Sequence, residues 1–186
     1  MMRRIFLFLL FCLFAIPGWA QSTFGAGSLT GADTAGNSNS SDLCRTGVPA
    51  SSGTVTSMTW ALAANAPGST SFIANIYSDV SGSPSALLAQ ASPVTISTSA
   101  NVTASISLAV ISGTTYWVCV KGSNTNWLIA GLTTGGAGAI DFSTSYPTLN
   151  DPYVVSVQPS NVAYFIQATY TPTASGKNQV AGGQVF

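Results

Sequence analysis

Apolar and polar residues alternate with a period of two along most of the chain. Between Val55 and Leu62, the side chains of Met58, Trp60 and Leu62 share a face. Phe72, Ala74 and Ile76 share one in the next run, with Ile73, Asn75 and Tyr77 opposite. Val102, Ala104, Ile106 and Leu108 alternate against Thr103, Ser105 and Ser107. Tyr116, Val118 and Val120 oppose Trp117, Cys119 and Lys121. A short run covers Trp127 to Leu132, and the last long one carries Val162, Tyr164, Ile166, Ala168 and Tyr170. Short period-two runs rich in Thr, Val, Ile and aromatics predict strands. Turn signals separate them at Ala66-Pro67-Gly68, Asp79 to Pro84, Ser112-Gly113, Gly122-Ser123-Asn124 and Gly135-Gly136. The best helical candidate beyond the N-terminal segment, Ser85 to Ala91, is short. The pattern predicts an all-β fold: a single antiparallel β-sandwich, jelly-roll-like, of about eight strands.

The flanks read differently. Met1 to Arg4 carries two positive charges, Ile5 to Ile16 is apolar, and Gly18-Trp19-Ala20 has small residues at both ends. Residues 1–20 read as a secretory signal peptide, since a membrane span needs about 20 apolar residues. Cys12 lacks the small residues that precede a lipidated cysteine. The β-sandwich domain is expected over 21–172, opening with an edge strand or loose arm and a loop around Asn37 to Asp42. Residues 173–186 read as a flexible tail. The loop over 145–160, with Tyr146-Pro147 and Asp151-Pro152-Tyr153, is expected at one end of the sandwich.

Composition supplies a core but almost no charge: 46% of residues are hydrophobic and 5% charged, against a usual quarter charged. Ser, Thr, Asn, Gln and Gly must therefore cover the surface. After cleavage, Arg45, Lys121 and Lys177 stand against Asp33, Asp42, Asp79, Asp141 and Asp151. No basic patch exists for nucleic acid or an anionic membrane, and no membrane insertion is expected after cleavage. The implied location is secreted, extracellular or periplasmic. Cys44 and Cys119 are then in an oxidising compartment. A disulfide is the favoured reading, with two buried thiols as the alternative.

The order Ile76-Tyr77-Ser78-Asp79, Ser81-Gly82-Ser83-Pro84, Leu87-Leu88-Ala89, then Ser112 to Val118 and Ala168-Thr169-Tyr170-Thr171-Pro172, resembles a family of secreted bacterial β-sandwich domains. These are of the "choice-of-anchor" type, similar to carbohydrate-binding-module jelly rolls and to domains of phage tail proteins. The resemblance spans about Phe24 to Pro172. It implies a fold and carries over no catalytic residues. In the motif itself, Asp79 is expected to bond its own turn, Gly82 to supply positive φ and Pro84 to fix the exit.

With no histidine, Ser-His-Asp and Cys-His nucleophiles and His-based zinc sites are excluded. All five acids are aspartates, so a hydrolase would need an Asp pair such as Asp141 and Asp151; surface aspartates in loops more often cap turns. Neither Lys121 nor Lys177 is placed to serve a Ser-Lys nucleophile. Asp33, Asp42, Asp141 and Asp151 are few carboxylates for a calcium cage, which takes six to eight oxygens, so no cofactor is expected. The Gly131 to Gly138 stretch opens no helix and is not a phosphate loop. Two glycosylation-type sequons, at Asn39 and Asn101, carry no weight in so polar a chain.

Binding is the remaining chemistry. Asn124, Asn126 and Trp127 follow a turn, and Tyr146 and Tyr153 flank prolines in a polar loop. They are the candidate ligand-binding residues, an aromatic platform with amide partners. Trp127, which begins an apolar run, reads more readily as core than as a sugar platform, and Trp60 and Trp117 read as core outright. The expected function is a non-catalytic secreted or cell-surface binding module, with a glycan or surface polymer as partner. The alternative is a structural or adhesive protein that self-associates, identified by a broad polar β face and unprotected edges. An Asp-dependent hydrolase and a phage-type receptor-binding protein rank below both.

Overall fold

The computed structural model describes residues 20–26, 33–34, 41–62, 70–96, 101–123, 129–132, 138–141, 143–157 and 163–174. Among them are thirteen strands: β1 (Ser22–Gly25), β2 (Asp33–Thr34), β3 (Asp42–Gly47), β4 (Gly53–Ala61), β5 (Thr70–Val80), β6 (Ser83–Gln90), β7 (Val94–Ile96), β8 (Asn101–Val110), β9 (Tyr116–Gly122), β10 (Ala130–Leu132), β11 (Gly138–Asp141), β12 (Ala163–Tyr164) and β13 (Ile166–Pro172). Residues 1–19 of the expected signal peptide (1–20), residues 175–186 of the expected tail (173–186), and residues 63–69 and 124–128 lie outside the described residues.

Two antiparallel sheets pack face to face. One has the order β1-β13-β4-β8, the other β11-β3-β9-β5-β6, with β7 also on β5. Eight of these strands carry the topology. In chain order they are β1, β3, β4, β5, β6, β8, β9 and β13, and they pair first with eighth, second with seventh, third with sixth and fourth with fifth. Such nested pairing, split between two sheets, is the rolled-up hairpin of a jelly roll. The jelly-roll expectation of about eight strands is met. The other five are short additions, and β12-β10-β2 forms a small separate sheet.

The predicted faces are the observed ones. Met58, Trp60, Phe72, Ala74, Ile76, Val102, Ala104, Ile106, Tyr116, Val118, Val120, Tyr164, Ile166, Ala168 and Tyr170 form one core between the sheets. The β5–β6 hairpin turns through Ser81 and Gly82, both at positive φ (54° and 78°), as a two-residue turn of the primed type requires. Asp79 accepts the Gly82 N–H at 3.3 Å and the Trp117 indole N–H at 2.7 Å. Where the sheets converge, Gly25 and Gly47 touch: a Cβ at Gly47 would lie 2.5 Å from the Gly25 nitrogen. Only glycine lets β1 and β3 approach so closely.

Three expectations are corrected. Ser85 to Ala91 is not helical. Its residues to Gln90 belong to β6, because the hairpin delivers them to the β5 edge, where Leu87 and Ala89 find apolar contacts. The loop expected around Asn37 to Asp42 ends earlier: Asp42 opens β3, an interior strand. The loop over 145–160 does not sit at an end. Its described part, 145–157, together with Ser143 and Thr144 before it, crosses the outer face of the larger sheet. It is tied to β6 by Tyr153 N–H to Ser85 O (2.8 Å) and Leu87 N–H to the Asp151 carboxylate (3.1 Å). It is tied to β11 by Ile140 N–H to Val157 O (2.8 Å) and Ser156 N–H to Ile140 O (2.9 Å).

Cys44 and Cys119 face each other across β3 and β9 and form a disulfide, Cα–Cα 4.0 Å. The bridge is fully buried. It closes a loop with a sequence separation of 75, for which the chain-entropy model gives about 4 kcal/mol. Reducing it, or replacing both cysteines by serine, is expected to lower the unfolding free energy from urea titration by an amount of that order, and the midpoint with it. An unchanged midpoint in reductant would show that the flanking strands hold their register alone.

Candidate functional site

The outer face of the larger sheet holds nearly all the chain's interior polarity. Cross-strand register places Asp141 (β11), Asp42 (β3), Lys121 (β9) and Ile73 (β5) in one row. The next row is Ala139, Cys44, Cys119, Asn75 and Gln90. Asp42, Asn75, Lys121 and Asp141 are each at most 1% exposed. Charged groups are almost never buried to this degree without partners, and the 143–157 segment supplies most of them.

Asp141 accepts from the Ser143 backbone N–H (2.7 Å) and hydroxyl (2.6 Å) and from the Asn150 amide (2.6 Å). The Lys121 ammonium donates to the Thr144 hydroxyl at 2.7 Å, which in turn donates to Thr148 O at 3.1 Å. The Asn75 amide donates to Asp42 Oδ1 at 3.3 Å, across the top of β9. The Tyr153 hydroxyl donates to the Asp42 carbonyl at 2.8 Å, and the Tyr77 hydroxyl to Asn150 O at 3.0 Å. Tyr153 stacks edge-on against Tyr77, with centroids 4.9 Å apart, and packs with Trp117, the disulfide and Ala139. Two buried atoms here have no partner: Asp42 Oδ2 and Asn75 Oδ1.

Burial dominates the electrostatics. It pushes the Asp42 carboxyl up to about 7, more than the Asn75 hydrogen bond and the nearby Lys121 charge pull it down, and the Asp141 charge adds to the rise. Burial also lowers Lys121, against the pull of Asp42 and Asp141. The phenols of Tyr77 and Tyr153 are raised by burial and by the same carboxylates. Both sides of the Asp42–Lys121 pair are thus biased toward neutrality.

The candidate residues fare unevenly. Tyr153 is 7% exposed, so its expected exposure is corrected: the ring is the keystone of the cover, drawn in by the second apolar cluster. Tyr146 is half-buried, preceding a cis Pro147. Asn124, Asn126 and Trp127 lie outside the described residues, as does Lys177. Asp141 and Asp151 serve different partners, the one Ser143 and Asn150, the other Leu87. Asp42 lies near Cys44 and Cys119 in a metal-like trio. The cysteines are bonded to each other, so the trio offers one carboxylate and no thiolate. Asp42, Asn75 and Lys121 as a group escaped the sequence reading. Their signal was positional: each shares the outward parity of its strand with an aromatic or a cysteine, Asp42 with Cys44, Asn75 with Tyr77, and Lys121 with Trp117 and Cys119. No family model, curated protein or solved structure matches the chain.

Two outcomes follow from this cluster. Tyr153→Ala is expected to cost about 3–5 kcal/mol, the range for deleting a large buried aromatic; a near-neutral result in urea denaturation would mean the cover stays closed without its ring. The second concerns pH. Unfolded Asp42 releases its proton near 3.8, the folded protein near 7. Between these values the native state binds more protons, so this contribution to stability is full below about pH 4 and is lost as pH rises through 7. The change is on the order of 4 kcal/mol at 1.36 kcal/mol per unit. Lys121, with a lowered value, acts with opposite sign below its ordinary 10.5. Urea midpoints of the native chain should therefore fall from pH 4 to pH 7, and Asp42→Asn should flatten that slope. An equal slope in both would assign it elsewhere.

Proposed function

We propose that the chain is an exported, non-catalytic surface module that works by self-association, with the four-stranded sheet as its adhesive surface. The observation that carries this reading is the edge strand β8. It runs for ten residues, Asn101–Val110, at the end of its sheet, and contains no charge and no proline. Natural sheets usually blunt such an edge with lysine, proline or a bulge; β8 has neither lysine nor proline, and its one irregularity is the extra residue at Ile106–Ser107 opposite Thr56.

The face beside it is equally uncharged. Thr23, Thr169, Ser57 and Ser105 form one row across all four strands. Gln167, Thr59 and Thr103 form the next, with Thr59 and Thr103 hydroxyls 2.9 Å apart. Since Asp42, Lys121 and Asp141 are buried, little charge opposes the approach of a second copy. The disulfide, and the lack among the described residues of any helix long and apolar enough to cross a membrane, fit an exported chain.

A glycan is the second reading. Beside the β4–β8 register shift, where Ile106 and Ser107 face Thr56, lies a shallow depression of about 430 Å³, lined by Thr54, Thr56, Ser105 and Ser107 with Ile106 beneath. Hydroxyl walls over an aliphatic floor suit a sugar, although the described residues bring no exposed aromatic to it. The resemblance to choice-of-anchor domains is compatible with either reading and rests on the β5–β6, β9 and β13 motifs.

Sedimentation equilibrium of residues 21–186 separates the two. Concentration-dependent oligomers are expected, reduced to monomers by Ser105→Lys with Ser107→Lys. A monomer at every concentration, with reproducible binding on a glycan array, would replace self-association by sugar recognition.

A further inference from the structure

We infer that Lys121 and Asn75 are the two ends of an intramolecular isopeptide bond, a covalent cross-link between β9 and β5 formed with Asp42 as its acid–base. The inference stands apart from the surface reading above, since it concerns the opposite, covered sheet.

The geometry comes from register. Lys121 lies opposite Asp42 on one side of β9 and opposite Ile73 on the other. Asn75 is two residues from Ile73 on the same outward face, and so is the diagonal neighbour of Lys121. Diagonal positions are about 7–8 Å apart, within reach of a long side chain. The Asn75–Asp42 hydrogen bond passes over β9 between Lys121 and Cys119. All three side chains are sealed from water.

The second observation is the pair of unpartnered atoms, Asp42 Oδ2 and Asn75 Oδ1. They are the unused halves of a carboxyl–carboxamide pair whose other halves are already bonded. A proton on Asp42 Oδ2 gives that oxygen a donor to offer and Asn75 Oδ1 a donor to accept. Burial favours both this protonated carboxyl and an uncharged Lys121 amine, the forms that an acid and a nucleophile need. The Thr144 hydroxyl holds the amine meanwhile.

The chemistry balances without a co-reactant. The Lys121 Nζ lone pair adds to Asn75 Cγ as Asp42 protonates Oδ1. The proton that Nζ then sheds passes through the Asp42 carboxylate to Nδ2. The Cγ–Nδ2 bond breaks, ammonia departs, and the Oδ1 proton returns to Asp42. An amine and a carboxamide become a secondary amide and ammonia, with nothing oxidised or reduced.

Intact mass spectrometry of the reduced, purified protein tests this. The wild type is expected to lack the mass of one ammonia, and Lys121→Arg to regain it. An N-terminal Gln21 sheds ammonia too, so the deciding readout is a chymotryptic digest of the wild type, in which the peptide carrying Asn75 should be joined to the one carrying Lys121. That readout needs no variant to fold. Separate, unmodified Asn75 and Lys121 peptides would overturn the inference, and so would a link from Lys121 to Asn150 instead.

Discussion

Every one of the seven positions of β9 is buried, and the rest of the architecture answers to that constraint. A sandwich strand ordinarily faces the core on one side and water on the other. Here Tyr116, Val118 and Val120 fill the space between the sheets, while Trp117, Cys119 and Lys121 also need cover. A second layer must lie on the outside of the sheet. Among the described residues no helix provides it; the 143–157 segment does, and its backbone and side chains must then satisfy what they bury. Its bonds to β6 on one side and β11 on the other meet that need, and Tyr153 joins it to the aromatic and disulfide floor.

That cover inverts the usual distribution of charge. In most domains ionised groups coat the surface and apolar groups fill the interior. This chain has few charges, and Asp42, Asp141 and Lys121 lie beneath the cover while Arg45 points one guanidinium nitrogen at Tyr164 O from a half-buried position. Hydroxyl rows take over the exterior of the opposite sheet. A buried ionic cluster is weak evidence for stability, since desolvation offsets attraction. At Asp42 burial outweighs the pull of Asn75 and Lys121, and at Lys121 it outweighs the pull of Asp42 and Asp141. What such a cluster does supply is specificity of place: an acid, an amide and an amine held on adjacent strands, where water cannot compete.

The inward faces were legible in the sequence because period two is a local property. Phe72, Ala74 and Ile76, or Tyr116, Val118 and Val120, needed only the parity of their own strand. The hairpin at Asp79 to Pro84 was legible for the same reason, since the turn residues announce their backbone conformation. The identity of the outward face was not. Asn75 and Lys121 alternate as solvent-facing residues would, and only the return of a remote segment makes them interior. Tyr153 looked exposed because prolines and polar residues surround it in sequence, whereas its environment is set by β5 and β9. Ser85 to Gln90 carries helix-permitting residues, but a two-residue turn leaves it no choice except the neighbouring strand.

Load would divide between the two sheets unequally. The first and last strands of the roll, β1 and β13, are paired antiparallel, with Ser22 opposite Tyr170. Tension on the two ends of the domain therefore opens that pair one hydrogen bond at a time, beginning at its Ser22 end. The other sheet is different: the disulfide joins β3 to β9, and a Lys121–Asn75 amide would join β9 to β5. Three consecutive strands would then form a covalent ladder through the middle of the larger sheet, beneath a sealed cover. A domain built this way can lose its terminal strand under strain and still keep the strands that hold its buried charges together. The four-stranded sheet is the one left free to open, and the uncharged β8 edge lies in that same sheet.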